Sequence, residues 1–415
     1  MAARGSVTLG RENSAPRGSN LDNVRRHNLS HVLTLVHSRT SVSRAQLTRE
    51  LGLNRSTIAA LVSELATLGL VIETDPGQTN QVGRPSLVIK PSGRVVAICV
   101  NPELDAITIG LVGLGGQVVR RVRFDNVRVP SPVEAVNVVN AVLAGMSTAL
   151  ENDYRVVGIG IAVPGLVRGS DGLVDLAPHL GWRDEPFAEM LAESTGYPVV
   201  AANDASCGAI AEHIFGAGQG VDDMIYLNGG ASGIGGGVIV DGTLLAGANG
   251  YAGEFGHTLV KTDGDLCHCG ANGCLETEVS RKPLLDALGL SSSEAEQLDA
   301  ELVARFEAGP SAELEKLVTA QASFLVIALR NAINMFNPRR IVLGGFLGSM
   351  FRVVPGEFDP VTKQSPMIGA GGGVELTGAS LGSSILMVGA AELAFTDLLA
   401  DPAGSASTSK GVASL

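Results

Sequence analysis

Four side chains between residues 253 and 276 have the types and spacing of a metal site. They form the array H-x9-C-x-C-x4-C, made by His257, Cys267, Cys269 and Cys274. One imidazole and three thiolates are a ligand set for tetrahedral zinc, and thiolate favours zinc over magnesium or calcium. Gly270 and Gly273 allow the short loop to fold back so that the sulfurs converge. The array predicts one structural zinc ion per chain.

The alternative for these cysteines is a disulfide, or proximity by chance. The N-terminus has no apolar segment of the signal-peptide type, and no run of about 18 apolar residues is apparent, so we expect a cytoplasmic protein without a membrane span. Because the cytoplasm is reducing, zinc is favoured over a disulfide. Cys99 and Cys207 lie outside the array and are predicted to be buried small hydrophobic residues.

The charge of the chain is unevenly distributed. The net charge of the 415 residues is -12, yet residues 1–94 hold 12 Lys and Arg against 6 Asp and Glu. The remaining residues hold 18 against 36. A basic N-terminal part on an acidic body indicates that nucleic acid binds to the N-terminal part alone.

The basic part has the pattern of a winged helix-turn-helix over residues 21–90. Apolar residues recur at helical spacing from Leu21 to Ser38, and Ser43 with Gln46 forms a capping box for a second helix that ends at Gly52. Asn54 is the predicted cap of a third helix, and strands at 71–74 and 86–90 flank a polar tip. The alternative is a generic small helical domain with a hairpin.

The third helix is predicted to be a recognition helix, which presents side chains to the major groove from its N-terminal end. A cation at the tip of the wing would enter the minor groove. The predicted DNA-binding residues are Ser43, Arg44, Asn54, Arg55, Ser56, Thr57 and Arg84.

Beyond Pro91 the composition changes to short Val- and Ile-rich runs separated by Gly-rich turns and Ala-rich helical stretches. This alternation predicts an α/β body over residues 95–400. The runs are 95–100, 107–112, 156–163, 224–227, 238–240 and 341–343. Residues 1–20 and 401–415 lack periodicity and are predicted to be flexible tails.

Several motifs of the body occur in the order found in one family. LNGGASGIGGGVIVDG (227–242), GYAGEFGH (250–257) and CHCGANGCLE (267–276) resemble the signature of the ROK proteins, bacterial sugar kinases and sugar-responsive repressors. The resemblance covers residues 95–400, and the winged helix indicates the repressor branch. It implies a two-lobed, actin-like body of the hexokinase type, with sugar bound in the cleft between the lobes.

The resemblance also implies the residues that contact the sugar. Carboxylates can accept hydrogen bonds from sugar hydroxyls, while an amide or imidazole both donates and accepts. The matching positions are Asn203, Asp204, Glu254, His257 and Glu276. His257 would then bind zinc through one nitrogen and a hydroxyl through the other.

One departure separates this chain from the kinases of the family. Their first phosphate loop has the pattern D-x-G-x-T, which the alignment of the second strand places at Asn101-Pro102-Glu103-Leu104-Asp105. A bulky anion in place of glycine keeps backbone N–H groups from the phosphate oxygens. Residues 231–235 and Gly344-Gly345 still resemble the second phosphate loop and the adenosine turn. Asp204 matches the kinase general base, and we expect it to hold ligand here.

These patterns predict a sugar-responsive repressor rather than an enzyme. A homodimer or homotetramer would bind a palindromic operator and release it when a monosaccharide or sugar phosphate binds. The alternatives are an ATP-dependent ROK sugar kinase with a fused DNA-binding domain, and an activator on the same scaffold. The identity of the sugar and the operator sequence are not encoded in any motif.

Overall fold

The structure is a computed structural model that describes residues 17–75, 87–363 and 373–404. The chain divides into two compact units, one of residues 1–91 with 397–415 and the other of residues 92–396. Residues 397–404 therefore group with the N-terminal unit, although the sequence assigned those up to 400 to the body.

Among its described residues up to Pro91, the N-terminal unit has three helices and a small sheet. Its helices are α1 (Arg17–Arg39), α2 (Arg44–Leu51) and α3 (Arg55–Thr67), and its strands are β1 (Val42–Ser43), β2 (Val71–Thr74) and β3 (Val88–Pro91). The sheet order is β1-β3-β2, with antiparallel pairing throughout. Both predicted caps are confirmed, because Ser43 makes the full capping box with Gln46 and the Asn54 side chain accepts from the Thr57 N–H.

Apolar stripes on α1 and α3 form the core of this unit. Leu29, Leu33 and Val36 of α1 are fully buried, as are Ile58 and Leu65 of α3. These residues follow helical spacing, so one face of each helix is buried in the core while the opposite face is exposed to solvent. The first helix begins at Arg17, earlier than the predicted start at Leu21.

The described part of the body contains two five-stranded sheets with the same plan. The first sheet has the order β11-β7-β4-β5-β6 and the second β14-β13-β12-β15-β16. In each, three consecutive antiparallel strands continue into two parallel strands. The strands of the first are β4 (Val95–Pro102), β5 (Ala106–Gly113), β6 (Val118–Asp125), β7 (Arg155–Val163) and β11 (Val199–Asn203). Those of the second are β12 (Met224–Gly230), β13 (Gly233–Val240), β14 (Thr243–Leu244), β15 (Arg340–Gly345) and β16 (Glu375–Gly378).

Helices cover the sheets, and a small third sheet is inserted into the first lobe. The inserted strands are β8 (Leu166–Val167), β9 (Val174–Ala177) and β10 (Trp182–Glu185). The helices before the second sheet are α4 (Pro132–Gly145), α5 (Ser147–Asn152), α6 (Phe187–Thr195) and α7 (Asp204–Phe215). The later helices are α8 (Leu275–Glu278), α9 (Arg281–Leu288), α10 (Leu298–Ala308), α11 (Ala312–Phe336), α12 (Phe346–Val353), α13 (Asp359–Thr362) and α14 (Ile385–Ala400).

The continuous Val and Ile runs are explained by burial on both sheet faces. Every residue of β4 and β5 is buried, and the core of the first lobe joins them to α4, α6 and the inserted strands. A larger core in the second lobe joins β12, β13 and β15 to α9–α12. The six predicted strand runs are confirmed, whereas polar strands such as β6 were missed because exposed arginines break their apolar pattern.

Two helices within the described ranges are long and apolar enough to cross a membrane, judged by length and composition alone. They are Ala312–Phe336, which contains Glu315, Lys316 and Arg330, and Gly382–Ala400, which contains Glu392 and Asp397. Charged residues therefore interrupt the apolar sequence of both helices. In α11, Val318, Leu325 and Leu329 are fully buried in the core of the second lobe. Its hydrophobicity is that of a core helix packed on protein.

Candidate functional site

The predicted metal ligands converge on one point beside the second sheet. His257 ends a short 3-10 turn, Phe255–His257, that packs on β13, and the bridge between Leu259 and Cys274 folds the intervening loop back. Cys274 is the N-cap of α8. The four ligand atoms lie within 4.8 Å of one another.

The distances fit a tetrahedral ion. The His257 Nδ1 to Cys267 Sγ distance is 3.5 Å, and the Cys269 Sγ to Cys274 Sγ distance is 3.6 Å. Zinc bonded at its usual lengths to nitrogen and sulfur separates such ligands by about 3.6 and 3.8 Å in a tetrahedron. The second value also exceeds the S–S bond length by far, and all described cysteines are free thiols. The residues present therefore fit zinc better than a disulfide.

The pKa values of the three thiols are shifted in different directions. The Ala271 backbone N–H lowers the pKa of Cys269, whereas burial raises the pKa of Cys267 and of Cys274. Buried thiols resist ionisation unless a cation stands beside them. A divalent ion at this point would supply that stabilisation, since only thiolates bind it.

Gly273 is the most constrained residue of the loop. Its φ is +70°, and a Cβ added there would lie 1.7 Å from the Lys261 carbonyl oxygen. Gly270 has a φ of +92° with no atom within 4 Å of its added Cβ. Both positions disfavour an L-residue by roughly 1–2 kcal/mol, but only Gly273 adds a clash with backbone.

We expect Gly273→Ala to lower the zinc content and the melting temperature well beyond Gly270→Ala, which serves as the matched control. Metal analysis and thermal unfolding of both variants measure the difference. Equal zinc content and equal melting temperatures in the two variants would contradict the close approach at residue 273.

A cavity of about 750 Å³ lies between the two lobes of the body. The first lobe contributes Glu103 and the inserted sheet with Trp182, while the second contributes the β12–β13 turn and the metal loop. All five predicted sugar residues line it: Asn203, Asp204, Glu254, His257 and Glu276. The volume is that of a small-molecule site.

Asn203 and Asp204 are placed by the junction of β11 and α7. Asn203 is the N-cap of α7, and its Oδ1 accepts from the Ala205 and Ser206 N–H groups. Its Nδ2 donates to the Gly165 carbonyl at 2.9 Å. Most of the hydrogen-bonding capacity of Asn203 is therefore used within the protein, which directs the neighbouring Asp204 into the cavity.

Asp204 occupies an unfavourable place for a negative charge. Burial, with further contributions from Glu103 and Glu254, raises the pKa of Asp204 to about 7. Burial and the nearby Asp105 also raise the pKa of Glu103. Carboxyl groups with raised pKa values in a cleft are typical of ligand-binding or catalytic sites.

The structure revises the interpretation of the loop at 101–105. Asn101 is buried and donates from Nδ2 to the Ala162 carbonyl at 3.0 Å, and Glu103 lines the cavity. Asp105 is exposed, is not among the lining residues and pairs with Arg123 at 2.8 Å. Two carboxylates at the phosphate position were expected, but only Glu103 faces the cavity.

Sequence reasoning missed other cavity residues, among them His179, Trp182, Arg183 and His268. The first three lie in or beside the inserted sheet, where no local pattern signals a ligand. His268 stands between two predicted metal ligands, and that position was the one signal that could have drawn attention to it.

The predicted DNA-binding residues of the N-terminal unit differ in availability. Arg55 and Ser56 are exposed at the start of α3. In Ser43 and Asn54, by contrast, the side-chain oxygen already accepts a hydrogen bond from a backbone N–H as a helix cap. Arg44 forms an ion pair with Glu73 of β2. Thr57 is half-buried on the same turn as Arg55. Arg84, the predicted wing contact, lies outside the described residues.

The duplicated sheet plan, with a polar cavity between the lobes, defines an actin-like body of the hexokinase type. A glucokinase structure from Streptomyces griseus, in complex with glucose and AMPPNP, matches with a TM-score of 0.60 and 27% identity over 72% of this chain and 99% of that one. A ROK family transcriptional regulator, a homolog of the E. coli MLC protein, matches with a TM-score of 0.74 and 24% identity over 94% of this chain and 99% of that one. The second match extends the shared fold across the N-terminal unit.

The ROK family model matches residues 97–397, and the chain belongs to the ROK family. It is 28% identical to the xylose repressor of Caldicellulosiruptor bescii over 89% of this chain and 96% of that protein. It is 29% identical to the xylose repressor of Bacillus subtilis over 91% of this chain and 97% of that protein. The family predicted from the motifs is thereby confirmed.

Proposed function

We propose that this protein is a sugar-responsive transcriptional repressor, whose body binds a monosaccharide or sugar phosphate and whose N-terminal unit binds operator DNA. The observation that carries the proposal is that five polar side chains, chosen for sugar contact from separate motifs, line one cavity. Relatives named xylose repressor align over about nine-tenths of the chain.

In the proposed site, carboxylates accept hydrogen bonds from vicinal sugar hydroxyls. Asp204 and Glu254 each line the cavity with a carboxyl group, and Glu276 lines it with a third, whose side chain is 9% exposed. His257 Nδ1 faces Cys267, while its Nε2 lies 3.9 Å from Glu254 on the cavity side. Nε2 is therefore the nitrogen that we assign to a hydroxyl.

His257, Cys267, Cys269 and Cys274 would hold the zinc ion, which when bound crosslinks the loop to the turn before it. Anchoring of His257 in this way restricts its imidazole to one orientation. Glu254 and Glu276 flank this imidazole. A bound ligand would therefore contact these two carboxylates beside an imidazole of fixed orientation.

The coupling between ligands is expected to be reciprocal. If sugar binds one conformation of the body better than the conformation that holds DNA, each ligand weakens the other by the same factor. A coupling of about 3 kcal/mol corresponds to more than a hundredfold change in operator affinity. In the proposed dimer, two recognition helices would contact the half-sites of a palindrome.

The direct test is a binding titration on DNA selected by the protein from a random pool. We expect D-xylose, another monosaccharide or a sugar phosphate to raise the melting temperature and to weaken DNA binding together. Arg55→Ala should weaken DNA binding while the sugar still raises the melting temperature. A sugar that stabilises the protein without affecting DNA affinity would contradict sensing, and absence of any sequence preference would contradict the larger proposal.

A sugar kinase is the second candidate, favoured by the similarity to glucokinases. The glucokinase of Halalkalibacterium halodurans is 34% identical to this chain, but over 50% of it. Glu103 at the cavity wall opposes polyphosphate, because like charges about 4 Å apart repel by roughly 4 kcal/mol at an effective dielectric of 20. Phe346, which directly follows Gly344-Gly345, is buried, and a Cβ on Gly229 would lie 2.5 Å from its ring. An aromatic ring therefore packs where the two glycine-rich motifs meet.

An assay for ADP release with hexoses and pentoses separates the two functions. We expect no turnover above background from the wild-type protein. Turnover that disappears in Asp204→Asn would establish the kinase instead.

A further inference from the structure

His268 is a cavity residue that neither the proposed metal site nor the predicted sugar contacts use. It lies between Cys267 and Cys269 in the chain, yet it lines the cavity and its side chain is 40% exposed. Its Nδ1 lies 2.9 Å from Oε1 of Glu276. This is the length of a charge-assisted hydrogen bond to a carboxylate.

The Glu276 carboxylate lies between the metal loop and β13. Oε1 also lies 3.1 Å from Cys267 Sγ and 3.6 Å from His257 Nδ1. Oε2 lies against β13, where a Cβ added to Gly233 would be 2.5 Å from it. Since Cys267 and His257 are assigned to zinc, the hydrogen bond from His268 Nδ1 is the contact left to set the orientation of Oε1.

The imidazole of His268 is itself fixed by two other rings. Its centroid is 5.0 Å from that of His257, with the planes at 78°, and 5.7 Å from that of His179, with the planes at 70°. Both pairs have the edge-to-face arrangement that aromatic rings favour. The three rings form a row along the cavity wall. His179 lies beside the inserted sheet at one end of this row, and His257 and His268 belong to the metal site and its loop.

We propose that His268 is a positioning residue for sugar recognition, which orients Glu276 so that this carboxylate presents a fixed acceptor to a ligand hydroxyl. The inference rests on the proposed function and adds a residue to it. The metal loop then influences ligand affinity through a side chain outside the four proposed zinc ligands. A carboxylate fixed in advance loses less freedom when the ligand binds.

The test compares His268→Ala, His268→Asn and wild type in calorimetric titrations with D-xylose, D-glucose and D-glucose 6-phosphate. We expect His268→Ala to weaken binding about tenfold, the usual consequence of losing one hydrogen bond to a charged group. His268→Asn should recover most of the affinity, because its amide N–H can donate from nearly the Nδ1 position. In a Glu276→Gln background, His268→Ala should have little further effect, since the two residues act as one unit.

His31→Ala, a histidine replacement on α1 in the N-terminal unit, is the matched control and should leave sugar affinity unchanged. Zinc content measured on the same samples should stay near that of wild type in His268→Ala. Unchanged affinity in His268→Ala, or loss of zinc from it, would overturn the positioning role. If wild type binds none of the three sugars and nothing in a wider screen, the proposed function is overturned together with it.

Discussion

Cys267→Ser and Cys274→Ser should each yield protein with little or no zinc, whereas wild type should contain about one ion per chain. Both cysteines are buried, and their sulfurs belong to the two ligand pairs that the tetrahedral distances define. Removal of one thiolate leaves three ligands around a point built for four. Metal analysis of protein prepared without chelator measures the effect.

The same substitutions should lower stability and abolish the sugar response. Structural zinc contributes on the order of 10 kcal/mol in small domains, and a body with large cores of its own should depend on it less. A loss of only 2 kcal/mol would lower the melting temperature by about 3 °C. Cys99→Ala, at a buried thiol outside the array, should keep its zinc and its sugar response. Full zinc occupancy in Cys274→Ser would refute the assignment.

Asp204→Asn should have opposite effects on stability and on ligand binding. With a pKa of about 7, the folded protein holds a proton that the unfolded chain, with an ordinary value of 3.8, releases at lower pH. The stability of wild type therefore falls as the pH rises from about 4 to 7, and the upper limit of the loss is on the order of 4 kcal/mol. The amide has no proton to lose, so the variant should melt at a higher temperature than wild type at pH 8.

Sugar affinity should change in the other direction. The ionised carboxylate of Asp204 is the form that accepts two hydroxyl hydrogen bonds, so wild-type affinity should rise between pH 6 and 8. Asp204→Asn should bind sugar at least tenfold more weakly. Its affinity should also depend less on pH across that range, and the dependence that is left would come from the neighbouring Glu103 and Glu254. Thermal unfolding and calorimetry over this pH range provide both readouts. A variant that is less stable than wild type at pH 8 would contradict the unfavourable burial of Asp204.

The parts that were predictable share a local origin. The caps at Ser43 and Asn54 bond to backbone groups three residues away, and the metal array spans a single turn and loop. Interactions over such short separations leave their pattern in consecutive residues. The winged-helix elements and the metal cluster were recognisable for that reason.

The parts that were not predictable depend on residues far apart in the chain. Arg44 was expected at the DNA, but Glu73 of the neighbouring strand pairs with it. Asp105 was expected to repel phosphate, but Arg123 on β6 binds it away from the cavity. The ring of Phe346 packs next to Gly229, which lies more than a hundred residues earlier in the chain. None of these partners is visible until strands and helices are packed.

By itself, the sequence identified the family and predicted the two-part organisation, the ligand set of the metal loop and, through the resemblance to that family, the five polar residues expected at a sugar. The metal array follows from residue types at fixed spacing, which the backbone geometry of one turn and loop converts directly into position. The tertiary structure decided which side chains face the cavity, which are neutralised by distant partners and how His268 meets Glu276. Burial and long-range pairing set those outcomes, because the pKa of a carboxyl group and the availability of a cation depend on everything packed around them.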